Sequence, residues 1–143
     1  MANHGYAKAD ITNAYDIGLG YKTASNSLTV AVGDFIKLVG DNNVVLADVG
    51  DTIEGVSVTA KTFDSDNLTG SLEKVAYRPA TQKTWYSMPI VGGTITIADE
   101  GNYFDIVTGT QAVDGATESA TEGQLRLERF ISATKGIFSI ANK

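Results

Sequence analysis

The sequence predicts an all-β fold, a small barrel or sandwich (β-tulip-like) of about ten short strands with an extended N-terminal arm. Three observations carry that expectation. Apolar residues alternate with a period of two from Leu28 onward, as they do on half-buried strands. Turn signals recur at short intervals, among them Gly33-Asp34, Gly40-Asp41 and Gly50-Asp51 within "VGDFIKLVGDNNVVLADVGDTIEGV". No segment carries the 3.6-residue stripe of an amphipathic helix.

Residues 1–27 read as the arm and residues 28–143 as the β domain. The arm has few large aliphatic side chains and no sustained alternation, yet it holds Tyr6, Tyr15 and Tyr21. Tyrosine offers a broad amphipathic contact surface at low entropic cost, so these three are the candidate partner-binding residues. The core strands are expected to begin at Leu28, which shares a face with Val30 and Val32. Ile36 and Leu38 follow on the next strand, and Val44–Ala47 resumes after the "DNN" turn. Ile53 opens another run whose apolar positions then shift to Val56 and Val58; a bulge at Gly55 would restore the inward face. "KTFDSDNLTGSLEK" reads as a loop, with strands after it at Val75–Tyr77 and Trp85–Ile90. Ile95 and Ile97 share a face, and Phe104 and Ile106 continue the pattern. "GTQAVDGATESATEG", residues 109–123, is small and polar and reads as a long exposed loop. "QLRLERFI" and "GIFSI" form a closing hairpin through "SATKG", with a second bulge near Glu128-Arg129 because Phe130 is out of phase with Leu125 and Leu127.

Composition removes whole classes of function. With 143 residues and 43% hydrophobic content, the chain has one domain's worth of sequence and enough apolar surface for a core. It has no cysteine, which excludes disulfides, thiolate nucleophiles and cysteine-based metal or cluster sites. A net charge of −6 with scattered basic residues opposes nucleic-acid binding, which needs a basic face. No apolar run approaches the roughly 20 residues of a membrane-spanning helix. The start "MANHGYAKAD" shows no secretory signal, so synthesis in the cytoplasm of the producing cell is expected.

The residues that could do chemistry do not converge. His4 is the single histidine and lies in the arm, a poor place for a catalytic base or a zinc ligand. Asp48/Asp51, Asp64/Asp66 and Asp99/Glu100 are carboxylate pairs at turn positions, where aspartate caps the local backbone. "DSDN" at Asp64–Asn67 opens like a calcium loop, but Thr69 and Val75 stand where glycine and a bidentate glutamate are required. "GLG" at Gly18–Gly20 lacks the residues that complete a phosphate loop. The expectation is therefore a chain with no enzymatic activity and no cofactor or metal.

The chain resembles the small capsid decoration (cement, head auxiliary) proteins of tailed bacteriophages, including those with an N-terminal arm and a β-tulip or β-barrel body. The resemblance rests on "AVGDFIKLVGDNNVVLADVGDTIEGVSVTA", "VAYRPAT", "MPIVGGTI" and "GQLRLERFISATKGIFSI". It implies a structural virion protein that binds the outside of an assembled phage capsid and cements neighbouring subunits. It further implies the major capsid protein as partner, self-association as a homotrimer, no contact with nucleic acid or membrane, and a place on the capsid surface after synthesis in the host cytoplasm. Two other classes stay open. A carbohydrate-binding or adhesin-type β module of a phage tail or cell surface would use Trp85, Tyr86 and Tyr103 as a stacking platform. A small hydrolase would need an acid pair such as one built on Asp64 or Asp99.

Overall fold

A computed structural model describes residues 5–7 (backbone only), 18–40, 43–81, 84–107 and 112–143. The chain is all-β, as expected, and it is organised as two five-stranded barrels in series.

The first barrel uses β2 (Gly20–Ala24), β4 (Phe35–Val39), β5 (Asn43–Leu46), β6 (Gly55–Ser57) and β8 (Lys74–Pro79). Around the barrel their order is β2-β5-β4-β6-β8, closed by pairing of β8 with β2. A two-stranded ribbon of β3 (Thr29–Val30) and β7 (Lys61–Thr62) accompanies it. The ribbon brings Leu28, Val30 and Phe63 into one apolar cluster with Ala24, Ile36, Val44, Val75 and Tyr77.

The second barrel uses β9 (Trp85–Val91), β10 (Tyr103–Val107), β11 (Ala112–Ser119), β12 (Leu125–Ser132) and β13 (Lys135–Ile140), in the order β9-β11-β10-β12-β13, closed by pairing of β13 with β9. A short 3-10 turn, Ile97–Asp99, lies between β9 and β10. Inward residues alternate as the pleat requires: Tyr86, Met88 and Ile90 on β9, Phe104 and Ile106 on β10, Leu125 and Leu127 on β12. Phe104 meets Phe138 edge to face at 5.8 Å, the favoured geometry for aromatic pairs. β1 (Gly5–Ala7) adds to the outer edge of β9.

The apolar core of the second barrel does not stop at its own strands. Phe35, Ala47, Ile53 and Val56 of the first barrel belong to the same cluster. Adjacent residues on a strand face opposite sides, so the doublet Phe35-Ile36 serves two cores at once. Ile36 fills the first barrel and Phe35 points out of it into the shared core. Phe35 pairs with Val56 across β4 and β6, which extends that outward apolar face by one strand.

Several expectations change at this level, among them the shared faces of Leu28 with Val32 and of Ile95 with Ile97, since Val32 and Ile97 are exposed while Leu28 and Ile95 are buried. The phase shift after Ile53 is not a bulge, because Gly55 pairs in regular register with Ile36 and Pro79. The side chains change sides because β6 is buried on both faces, and a Cβ at Gly55 would collide with the carbonyl oxygen of Arg78. Residues 109–123 do not form a long exposed loop: Ala112–Ser119 is the eight-residue strand β11, with Ala112 and Val113 buried. Its small residues permit close packing, since a Cβ on Gly115 would come within 2.8 Å of the Gly93 backbone. Part of "KTFDSDNLTGSLEK" is strand β7, and its turns are held by Asn67, whose buried amide donates to the carbonyls of Ala24 and Glu73. Gly20–Ala24, inside the segment read as an arm, is a strand of the first barrel with Ala24 fully buried. The bulge expected near Glu128-Arg129 is present, because the β12–β13 register shifts between Leu127 and Arg129.

Candidate functional site

The three Gly-Asp pairs raise the first structural question, and two of them are built alike. In Ala31-Val32-Gly33-Asp34 the Asp34 N–H donates to the Ala31 carbonyl at 3.1 Å, while the Ala31 N–H donates to Asp34 Oδ2 at 2.9 Å. In Asp48-Val49-Gly50-Asp51 the Asp51 N–H donates to the Asp48 carbonyl at 3.1 Å, and the Asp48 N–H donates to Asp51 Oδ2 at 2.7 Å. Gly33 at φ 95° and Gly50 at φ 82° occupy the third turn position, which demands positive φ. Each turn leaves its second residue standing outward: Val32 and Val49 are both 51% exposed. The Gly-Asp pairs are thus turn chemistry that presents a valine. Asp41 of the third pair lies outside the described residues.

Asp34 is 5% exposed and, among the described residues, its Oδ1 has no hydrogen-bond partner. Burial raises its pKa above the usual carboxylate range against the lowering effect of the Ala31 N–H. Asp51 is held differently, by Lys37 at 2.8 Å.

A polar seam joins the barrels. The Gln124 side chain is buried; its amide donates to the carbonyls of Asp48 and Asp51, both at 2.8 Å, and its oxygen accepts from the Ile106 N–H at 3.1 Å. Asn142, in the left-handed region at φ 49°, binds both backbone groups of Ile53, accepting from its N–H at 2.8 Å and donating to its carbonyl at 2.9 Å. Beside this seam opens a cleft of about 280 Å³ whose polar lining includes Asp51, Asp105, Thr117, Ser119, Glu122 and Lys143. Gln124, the most buried polar group there, spends its hydrogen-bonding capacity on the protein itself.

The sequence-predicted residues are distributed as follows. Tyr21 is 58% exposed on β2, opposite Ala76 of β8. The backbone of Tyr6 pairs with Tyr86 through β1 and β9, and Tyr15 and His4 lie outside the described residues. Trp85, Tyr86 and Tyr103 do not form one platform: Trp85 is half-buried, whereas Tyr86 points to the other side of β9 and is 4% exposed. Burial pushes the Tyr86 hydroxyl up to about 12, with Arg78 working in the opposite direction. Tyr103 is half-buried under the Lys143 ammonium, which sits 5.2 Å from its ring centre. Asp99 Oδ2 accepts from the Thr96 N–H at 2.8 Å, the local capping role expected of a turn aspartate. Tyr77 donates to Glu54 at 2.8 Å, and burial together with that carboxylate raises its pKa. Among the described residues, no three His, Cys, Asp or Glu side chains stand close enough together to share an ion, and no helix is long and apolar enough to cross a membrane.

Sequence reasoning missed Gln124 and Asn142. Each is an amide near the end of its segment, and nothing in a strand pattern distinguishes a seam amide from a solvated one. No protein-family model matches the chain, and no curated protein matches it.

Proposed function

We propose that the chain is a structural virion protein that binds the outside of an assembled phage capsid and cements neighbouring subunits. The observation that supports this most is the pair of equivalent Gly-Asp turns. Each fixes an exposed valine on a hydrogen-bonded tip, and both lie inside the stretch that resembles capsid decoration proteins. A rigid tip loses little entropy when it docks, and a shell repeats the same weak contact many times, so avidity raises the overall affinity. The joined core and the seam amides give the body the stiffness that a clamp between subunits requires.

The test is co-sedimentation with emptied, decoration-free shells. Saturable binding at a fixed ratio to the major capsid protein is expected, together with a loss of at least about tenfold in affinity for the Val32→Asp/Val49→Asp double variant at unchanged melting temperature. No binding by the full chain to any shell contradicts the reading.

A second reading, a carbohydrate-binding module, draws on the polar cleft beside Gln124, whose Asp, Thr and Ser side chains suit sugar hydroxyls. Burial of Tyr86 removes the aromatic platform on which that reading first rested. Heat on titration with oligosaccharides, abolished by Asp105→Ala, would move it to first place.

A further inference from the structure

β9 has two edges, and they are used unequally. Along one edge β13 pairs with every residue from Trp85 to Pro89. Along the other, among the described residues, β11 pairs with Ile90 and Val91 alone. The stretch Trp85–Ser87 therefore extends beyond β11 as a short open edge, and unpaired strand edges accept further strands. β1 takes that place in antiparallel register, with Gly5 opposite Ser87, Tyr6 opposite Tyr86 and Ala7 opposite Trp85.

The donor of this strand is unusual. β1 precedes the first barrel in sequence, yet its seat is on the second. Ten residues, 8–17, join it to the described chain at Gly18, a connection that could reach at most about 36 Å. A seat filled through such a connection sees an effective concentration on the order of 1 mM. The register holds three residues, so release of β1 breaks few backbone hydrogen bonds and belongs to the low-energy local openings. The bonds that β1 makes are the same whichever copy supplies it, which is the condition for strand exchange.

We propose that the Trp85–Ser87 edge is an exchange site between copies of this chain: at high local concentration, β1 of one copy occupies the β9 edge of the next. The partner is a second copy, recognised through backbone hydrogen bonds in the register given. Where many copies are held side by side, each then binds its neighbour by one added strand. The inference goes beyond the shell reading and does not need a shell.

The absence of cysteine makes a clean test. Opposed residues of an antiparallel pair lie about 4.5–5.5 Å apart, within disulfide range. Two single-cysteine chains, Gly5→Cys and Ser87→Cys, one carrying a size tag, are mixed near 1 mM and oxidised, then separated without reductant. A mixed-chain disulfide is expected as the main product, falling at least about tenfold in yield on hundredfold dilution. The double variant in one chain should bridge within itself when dilute. The pair Ala7→Cys and Trp85→Cys gives the same readout if either first variant folds poorly. Bridging within the double variant with no mixed product overturns the exchange. So does an absence of any bridge, or an equal yield when Gly5→Cys is mixed with Thr121→Cys on the exposed turn after β11. All of these outcomes are obtained without shells, so they are independent of whether the chain decorates one.

Discussion

The two barrels have the same plan and different insides. Taken in chain order, the five strands of each barrel are arranged first-third-second-fourth-fifth around the wall. In each, the first and third strands are the one parallel pair: β2 with β5, and β9 with β11. In each, the fifth strand closes on the first in antiparallel fashion. The fillings differ. The core of the second barrel, with Phe104 and Phe138 in contact, is completed by Phe35, Ala47, Ile53 and Val56 from the first. The first barrel imports Leu28, Val30 and Phe63 from the β3–β7 region and turns Phe35 and Val56 outward to its neighbour. One connectivity can thus be filled in two ways, from a flanking ribbon in the first barrel and from the neighbouring barrel in the second, because the pleat supplies two faces and the sequence decides which are apolar.

That contrast can be broken most severely at β2. Removing residues 1–25 deletes the strand that closes the first barrel and exposes the edges of β5 and β8. Loss of the cooperative unfolding transition is expected for this truncation, whereas removal of residues 1–18 spares β2 and leaves the transition in place. Circular dichroism melts of both proteins check this; a folded 1–25 truncation would mean that the first barrel does not need its closing strand.

A smaller break is Val56→Asp. Val56 is 4% exposed and lies in the core the barrels share. A carboxylate there is taken out of water, with Arg78 of β8 opposite it in register, and a cost of about 3 kcal/mol is expected. The equilibrium stability in urea measures it; a loss below about 1 kcal/mol, the range of a surface substitution, would show that the shared core is loosely packed.

The smallest effect separates the two Gly-Asp turns by their aspartates. The folded pKa of Asp34 lies above its ordinary value of 3.8, so the folded chain binds this proton more tightly than the unfolded chain. Its contribution to stability is therefore present at low pH and is lost as pH rises from 3.8 through the folded pKa. Asp34→Asn removes that dependence. The melting temperature of the variant minus that of the parent should rise with pH across this window, and a flat or falling difference would show that Asp34 is not held in a desolvated site.

Legibility in the sequence follows the physics of each element. β4, β5 and the β12–β13 hairpin were plain, because local alternation and turn residues specify antiparallel neighbours. β11 was hidden, since Gly115, Thr117 and Ser119 are small or polar where a strand pattern needs apolar residues. There the Thr117 hydroxyl accepts from the Asp105 N–H at 2.8 Å and does part of the packing's work. β2 was hidden for a similar reason: of "GYKTA" only Ala24 is fully buried. The parallel pairs were not readable at all, because they join strands that are not consecutive. The turn role of the Gly-Asp pairs was readable, but the outward valines and the seam amides were not, since both depend on where the second barrel sits.

The two barrels form one cooperative body through Phe35, Val56, Gln124 and Asn142. The chain has one tryptophan, Trp85, and it reports on the second barrel alone. Far-ultraviolet circular dichroism reports on both. Urea unfolding followed by the two signals should give coincident transitions with a single midpoint. A dichroism change that is about half complete before Trp85 fluorescence begins to move would make the first barrel an independent unit and contradict a single cooperative body.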